Sequence, residues 1–227
     1  METILLKKIF KTYQESTIKI TALTDISLNI EKGEFTILAG PSGSGKTTLL
    51  NIIGTLDQPD SGEVYLDGIE VTNLPNNSLA DIRLKKIGFV FQTYNLIDVL
   101  TALENVEYVM LLQKVDPKIR RKKSIEILKA VGLEELIHRK TYRMSGGQRQ
   151  RVAVARAVVG EPQLILADEP TANLDSKTGE SLIELMKSFS LSKKITFVIA
   201  SHDPMVIQKA KRIIMLKDGK IQDDHFC

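Results

Sequence analysis

The chain has 227 residues, of which 43% are hydrophobic and 26% are charged. This balance is typical of a folded globular domain and excludes intrinsic disorder, and the length suits one α/β core that carries an inserted subdomain. The formal net charge of +3 is too small to indicate a nucleic-acid partner, so we predict none.

Strand patterns dominate the first third of the chain. Residues that alternate or favour strands, bounded by turn signals, predict strands at Ile4–Phe10, Ile18–Ile30 and Glu63–Asp67. Between them the short apolar strand Glu34–Ala39 runs into a glycine-rich turn, and Lys46–Gly54 then follows the pattern of a helix.

The middle of the chain changes character. Gly88–Phe91 is one more apolar strand, but residues 93–144 show helical periodicity and no convincing strand. Asp116 can cap a helix with Pro117 at its first position, and Gly132 can end it. We therefore predict a helical subdomain, 93–144, inserted into a single domain that is otherwise formed by residues 1–92 and 145–227.

Strands and helices alternate again in the last third. The pattern predicts helices at 146–159 and 177–188, strands at Leu164–Ala167 and Ile195–Ala200, and a hairpin over 212–222 that turns at Asp218 and Gly219. Apolar strands that alternate with helices indicate a mostly parallel sheet covered on both faces, which is an α/β fold.

Compartment is indicated by cysteine usage and by hydropathy. Cys227 is the only cysteine, so a disulfide within the chain is impossible, which fits a reducing compartment. Residues 1–8 lack the zones of a signal peptide, and no apolar run approaches the roughly 18 residues that span a bilayer. If the protein acts at a membrane, we expect it to do so from the cytoplasm, through the helices of another subunit.

The glycine-rich turn fits the phosphate-loop pattern G-x-x-x-x-G-K-[ST] and stands between a strand and a helix, as that motif requires. Its residues are Gly40, Pro41, Ser42, Gly43, Ser44, Gly45, Lys46 and Thr47, with Thr48 next in the helix. Glycines let backbone N–H groups turn inward around phosphates, and the helix N-terminus adds roughly half a positive charge. Lys46 can reach the β and γ phosphates, and Thr47 can offer its hydroxyl to Mg²⁺.

Two acids follow the apolar strand Leu164–Ala167. A buried parallel strand brings its C-terminal residues to the ligand edge of the sheet, so Asp168 is placed to hold Mg²⁺, through water. Glu169 projects differently and is placed to polarise the water that attacks a γ-phosphate. The simpler alternative is that the two acids cap a helix or form an ordinary pair on the surface. The presence of the phosphate loop makes this alternative less favoured.

Ser145-Gly146-Gly147-Gln148, followed by Arg149–Ala157, resembles the signature motif of the ABC ATPase family. Other phosphate-loop ATPases lack this motif, and the resemblance extends over nearly the whole chain. It implies the ABC ATPase fold, which combines a phosphate-loop core of mostly parallel strands, an N-terminal antiparallel β subdomain and the inserted helical subdomain.

Four further positions are similar to functional positions of that family. Tyr13 resembles the aromatic residue that stacks on adenine, and Gln92 the glutamine that links Mg²⁺ to the helical subdomain. Asn173-Leu174-Asp175 resembles the loop that crosses the dimer, and His202 the switch histidine near the γ-phosphate. Simpler alternatives remain for each: an ordinary aromatic, a polar loop residue, and helix caps at Asp175 and around His202.

The resemblance implies that ATP and Mg²⁺ bind to a head-to-tail homodimer. Each ATP lies between the phosphate loop of one chain and Ser145, Gly146, Gly147 and Gln148 of the other. Glu169, His202 and Gln92 then serve catalysis, and Thr47, Gln92 and Asp168 serve the metal. A transmembrane permease is the implied partner, which places the protein on the inner face of the cell membrane.

Within the family the chain is similar to the branch of macrolide exporters, lipoprotein-release systems and bacitracin-type resistance pumps. The residues that carry this similarity are Leu49–Gly54, Gly88–Gln92, Asn95-Leu96, Leu100–Val106 and Asp175–Gly179. Export is therefore the expected function, and a mechanotransmission ATPase that drives an extracytoplasmic machine is the alternative. ABC proteins of translation or DNA repair carry two ATPase units or a long coiled coil, and this chain shows neither.

Overall fold

The computed structural model describes residues 2–15 and 18–227, and they form two compact units. One unit comprises Met1–Arg83 and Thr196–Cys227, and the other comprises Leu84–Ile195. The predicted helical subdomain, 93–144, falls inside the second unit. Its status as an insertion into a single domain stays a prediction.

Ten strands and seven α-helices are described. The chain begins with β1 (Glu2–Glu15), β2 (Ile18–Glu31), β3 (Phe35–Ala39), α1 (Lys46–Ile53), β4 (Ser61–Leu66), β5 (Ile69–Glu70) and α2 (Asn76–Lys86). It continues with β6 (Ile87–Val90), α3 (Ala102–Leu112), α4 (Pro117–Ala130), α5 (Gly146–Val159), β7 (Leu164–Asp168) and α6 (Ser176–Lys193). It ends with β8 (Thr196–Ser201), α7 (Pro204–Ile207), β9 (Arg212–Lys217) and β10 (Lys220–Phe226).

An antiparallel sheet of strand order β2-β1-β4-β5 lies in the first unit. Strand β2 alternates along its second half, with Ile26, Leu28 and Ile30 buried and the residues between them exposed. This period of two is the expected pattern of a sheet with one buried face. The predicted antiparallel β subdomain is therefore present in this unit.

The same unit contains strands β10-β9-β3-β8 in that order, and β3 pairs in parallel with both β8 and β9. Every residue of β3 and β8 is buried, and the rings of Phe35 and Phe197 pack with centroids 5.7 Å apart. Strands β9 and β10 form the predicted hairpin, with positive φ at Asp218 and Gly219 as its two-residue turn requires. Strand β3 leads directly into the phosphate loop.

The second unit combines a parallel strand pair, β6 and β7, with packed helices α3, α4 and α5. Leu128 and Val152 are fully buried and Met110 is nearly so, and burial of each such side chain contributes about 1.5–3 kcal/mol. Gly88 of β6 allows a close approach to α5, because a Cβ at this position would lie 2.5 Å from the Ala157 carbonyl oxygen.

Helix boundaries follow the predicted signals. Asp116 accepts from the backbone N–H groups of Lys118 and Ile119, Pro117 is the first residue of α4, and Gly132 follows the helix with φ of +75°. Helix α2 was not predicted: Leu79 is its only buried residue, and its apolar residues Leu79, Ile82 and Leu84 do not follow the spacing of one helix face. Within the part of the chain that the structure describes, no helix has the length and apolar character that a membrane crossing requires.

Candidate nucleotide-binding site

The phosphate loop closes around its own lysine. Lys46 is 6% exposed, and its Nζ donates to the carbonyl oxygens of Gly40 at 2.8 Å and Pro41 at 2.9 Å. Gly45 has φ of +102°, and a Cβ at this position would lie 2.6 Å from the Ala22 carbonyl oxygen. The loop thus requires glycine here, and Gly45, at the N-cap of α1, provides no side-chain hydrogen bond to the start of the helix.

The loop's donors fit a triphosphate. Ser44 Oγ is buried, and it has no hydrogen-bond partner among residues 2–15 and 18–227. An unpaired buried hydroxyl, a buried ammonium group and an uncapped helix start suit an anionic ligand. Thr47, next in the helix, is exposed and offers a hard oxygen of the kind that Mg²⁺ prefers. The described residues include no cluster of three or more His, Cys, Asp or Glu side chains, and Mg²⁺ held with phosphate oxygens requires none.

Tyr13 presents a partly exposed aromatic ring on β1. It is 39% exposed, and its hydroxyl donates to Asp57 Oδ2 at 2.6 Å. Ile20, opposite it on β2, is 49% exposed. The ring and its aliphatic neighbour are an apolar surface on which a planar base can stack.

His202 directly follows β8 and is exposed. Because Ala39 pairs with Ser201, the phosphate loop and His202 leave the same edge of the sheet. Asp203 caps α7 by accepting from the Met205 N–H at 2.9 Å. The cap alternative is therefore right for Asp203, while His202 stays at the strand edge.

The second unit brings the two acids and Gln92 to one strand edge. Asp168 ends β7, Val90 of β6 pairs with Ala167, and Gln92 follows β6 by two residues. Glu169 has φ of +45°, a left-handed conformation that costs a non-glycine residue about 1–3 kcal/mol. Strain of this size at the residue after a strand is typical of functional sites.

The signature helix α5 starts with a capping box. Ser145 Oγ accepts from the Gln148 N–H at 3.3 Å, and Gln148 Oε1 accepts from the Ser145 N–H at 3.0 Å. Ser145 is exposed, and acting as an acceptor leaves its own hydroxyl proton able to donate. Cβ atoms at Gly146 and Gly147 would lie 2.9 Å from the Tyr94 hydroxyl and 2.6 Å from Thr178 Cγ2. A larger residue at either position would therefore force a neighbouring side chain to move.

Asp175 caps α6 and is exposed. Its carboxylate accepts from the Thr178 N–H at 3.0 Å, and hydrogen bonds from Thr178 hold the pKa of this carboxyl below its usual value. The predicted cap is confirmed, and its contact with a second chain stays a prediction. Asn173, two residues earlier, donates from Nδ2 to the Gln92 carbonyl oxygen at 3.0 Å.

Each unit therefore gathers its own part of the predicted site. The first unit holds Tyr13, the phosphate loop and His202, and the second holds Gln92, the two acids, Asp175 and the signature residues. The sequence analysis missed the side chains that hold these parts in place. Lys11 and Asp57 contact Tyr13, and Arg149 and Arg156 contact Tyr94. No short motif marks them, because the contacts of Asp57 with Tyr13 and of Arg156 with Tyr94 join residues 44 and 62 positions apart in sequence.

The family model described as ABC transporter matches residues 23–172 of this chain. The chain belongs to the ABC transporter family.

Several relatives are similar over nearly the whole chain. The uncharacterized ABC transporter ATP-binding protein MJ0796 of Methanocaldococcus jannaschii is 49% identical over 221 residues, which cover 96% of this chain and 94% of that protein. The ABC transporter ATP-binding protein YxdL of Bacillus subtilis is 46% identical over 215 residues, 95% of this chain and 83% of YxdL. The macrolide export ATP-binding/permease protein MacB of Campylobacter jejuni is 45% identical over 221 residues, 97% of this chain but 34% of MacB.

The solved dimeric structure of MJ0796 in a post-hydrolysis state, bound to ADP and Pi, matches this chain with a TM-score of 0.92. The two chains are 47% identical, and the match covers 98% of each. The predicted fold and enzyme class are confirmed: the chain is an ABC ATPase, an ATP-binding cassette of the ABC transporter family. The similarity to MacB also agrees with the predicted branch.

Proposed function

We propose that two copies of this chain form a head-to-tail dimer around two ATP molecules and Mg²⁺, and that ATP hydrolysis drives export through a separate membrane permease. The exposed start of the signature helix carries this proposal. Each chain has two helix N-termini suited to phosphate, one at Lys46 and one at Ser145. In a head-to-tail pair every ATP would meet one of each. The dimeric structure of MJ0796 bound to ADP and Pi supports the formation of a dimer.

The first unit supplies nucleotide binding in this proposal. Lys46 neutralises the β and γ phosphates, and the loop N–H groups surround the phosphates with donors. Thr47 holds Mg²⁺ through its hydroxyl, and Thr48 stands behind it in the same helix turn. Tyr13 stacks on the base, and His202 acts near the γ-phosphate.

In this proposal the second unit supplies the catalytic residues. Glu169 polarises the water that attacks the γ-phosphorus, and ADP leaves with the cleaved oxygen. Asp168, through water, and Gln92 would help to hold Mg²⁺. Ser145 donates from its hydroxyl to the γ-phosphate of the other chain's ATP, so cleavage removes a contact that holds the dimer closed. Asp175 crosses to the partner chain.

A permease partner is supported by the name of one relative. MacB carries an ATP-binding part and a permease by name, and this chain spans 34% of the Campylobacter jejuni protein. Association with a permease would place this chain at the inner face of the membrane. Affinity purification from detergent extracts, followed by mass spectrometry of the co-purified proteins, tests this partner.

Sedimentation velocity with ATP tests the dimer. Glu169→Gln keeps the size of the side chain and one acceptor oxygen but removes the base, so we expect an ATP-dependent dimer that persists. Glu169→Gln combined with Ser145→Arg places a large cation at the helix start and is expected to stay monomeric while it still binds ATP. A normal ATP dimer for the double variant would refute the sandwich.

A further inference from the structure

We propose that Lys11 and Asp57 are positioning residues for the nucleobase, because they hold the Tyr13 ring in one orientation. This inference rests on the proposed stacking of Tyr13 on the base. It assigns a function to a side-chain cluster that no motif marks. The cluster lies entirely within the first unit.

Tyr13, Asp57 and Lys11 form a closed triangle of contacts. The Tyr13 hydroxyl donates to Asp57 Oδ2 at 2.6 Å, and Lys11 Nζ donates to Asp57 Oδ1 at 2.8 Å. The same Nζ lies 5.1 Å from the centroid of the Tyr13 ring, within cation–π range. The carboxylate thus fixes the tip of the ring, and the ammonium group covers one face. The base would therefore stack on the opposite face of the Tyr13 ring.

The phenol group also lies close to the helix that begins the phosphate site. The Thr48 side chain acts to lower the pKa of Tyr13, against the larger effects of burial and Asp57, and Thr48 lies two residues after Lys46 in α1. The Tyr13 hydroxyl is therefore near both Asp57 and this helix.

Charge and burial keep the cluster in its working ionisation state. The Lys11 side chain is 12% exposed and that of Asp57 is 28% exposed. Partial burial and the hydrogen bond to Asp57 raise the pKa of Tyr13, so the phenol stays a donor. Burial also acts to raise the pKa of Asp57, but hydrogen bonds from Lys11 and Tyr13 outweigh it and lower that pKa. At neutral pH the carboxylate is therefore the acceptor that both donors need.

Pre-orientation of the ring has a direct effect on affinity. An exposed tyrosine on a strand loses rotamer freedom when it stacks on a ligand, and this loss weakens binding. The hydrogen bond to Asp57 and the contact with Lys11 remove much of that freedom before ATP binds. Loss of either contact should therefore weaken ATP binding, although the proposal gives neither Lys11 nor Asp57 a direct contact with the base.

The competing explanation is that the cluster only fastens the loop at residues 57–60 to β1. Lys11 Nζ also donates to the Gln58 carbonyl oxygen at 2.6 Å, and the Thr12 N–H donates to Asp60 Oδ2 at 2.7 Å. Asp60 has no hydrogen bond to Tyr13, and its Oδ1 lies 3.9 Å from Lys11 Nζ, farther than the 2.8 Å bond from Lys11 to Asp57. Asp60→Ala therefore removes loop–strand contacts but leaves both hydrogen bonds of Asp57 to Lys11 and Tyr13 in place. It is the control for Asp57→Ala.

Isothermal titration of the full chain with ATP separates the two explanations. We expect Tyr13→Phe and Asp57→Ala each to weaken ATP binding about threefold to tenfold, which is the effect of one hydrogen bond. The double variant should bind no more weakly than the weaker single variant, because both changes release the same ring. Asp60→Ala should lower the unfolding temperature and leave ATP affinity unchanged.

Three results would overturn the inference: unchanged affinity for Asp57→Ala, additive losses in the double variant, or an equal loss for Asp60→Ala. Tyr13→Ala separates this failure from failure of the proposed function. If Tyr13→Ala binds ATP normally, the stacking contact itself is wrong. If it binds weakly while Asp57→Ala binds normally, the positioning role alone is wrong.

Discussion

Arg156 donates from Nη2 to the carbonyl oxygen of Tyr94 at 3.0 Å, which ties the segment after Gln92 to the helix that begins at Ser145. Its Nη1 donates to the next carbonyl oxygen, that of Asn95. Tyr94 and Asn95 have φ of +66° and +47°, so two consecutive non-glycine residues are left-handed. Such a conformation costs about 1–2 kcal/mol per residue and persists only when neighbouring contacts hold it.

Arg156→Met tests this clamp. Methionine keeps most of the aliphatic stem but removes both donors, so the partly buried Tyr94 carbonyl oxygen and the exposed Asn95 carbonyl oxygen lose their partner. We expect a loss of about 1–3 kcal/mol in the free energy of unfolding by urea. Arg149→Met is the control, because Arg149 contacts the Tyr94 ring at 4.7 Å and its loss removes a cation–π contact of about 0.5–1 kcal/mol. Equal losses for both variants would contradict the clamp.

The Arg156 contacts show which features local sequence patterns do not predict. Local patterns set the predicted elements: the pattern predicted a helix over 146–159, and α5 runs from Gly146 to Val159. The phosphate loop was predicted because its chemistry needs consecutive residues. The Arg156 contact joins carbonyl oxygens 61 and 62 residues away, and any arginine on a helix would give the same local pattern.

Helix α6 and the left-handed residues differ from expectation for another physical reason. Helix α6 continues to Lys193, five residues past the predicted end at Ser188, because Phe189 and Ser190 are buried. Tertiary burial overrides the weak helix propensity of serine. Glu169 adopts positive φ without glycine, and nothing in the local sequence indicates that strain.

Lys46→Ala is expected to abolish ATP binding. The variant removes the ammonium group that is expected to contact the phosphates. It also removes the two hydrogen bonds to Gly40 and Pro41 that hold the loop closed. Isothermal titration measures the affinity, and circular dichroism checks that the fold survives. Lys220→Ala, which removes an exposed charge on β10, is the matched control and should bind ATP normally. Undiminished affinity for Lys46→Ala would refute the phosphate cradle.

Gly147→Ala is expected to destabilise the second unit, and Thr178→Ser is expected to restore it. The new methyl group would lie 2.6 Å from Thr178 Cγ2, so one of the two groups must move. Overpacking of this kind costs about 1–3 kcal/mol. Serine lacks the clashing methyl group and keeps the hydroxyl. Thermal unfolding of the two single variants and the double variant measures the coupling, and additive effects would show that the contact does not limit this position.

The Asp175 cap makes a pH-dependent contribution that Thr178 controls. Hydrogen bonds from the Thr178 side chain and backbone lower the pKa of Asp175 in the folded chain. A carboxyl whose pKa is lower when folded stabilises the fold above its unfolded pKa of about 3.9. That contribution is lost as the pH falls through the folded pKa.

A carbon NMR titration of the Asp175 carboxyl group measures this effect. We expect a midpoint below about 3.9 in the native chain, because the ionised cap is the form that Thr178 stabilises. Thr178→Val removes the hydroxyl donor and keeps the backbone N–H, so the midpoint should rise toward the ordinary value. Thr178→Ser keeps the hydroxyl and should leave the midpoint low. If valine and serine gave the same midpoint, the side-chain hydrogen bond would not be the main cause of the shift.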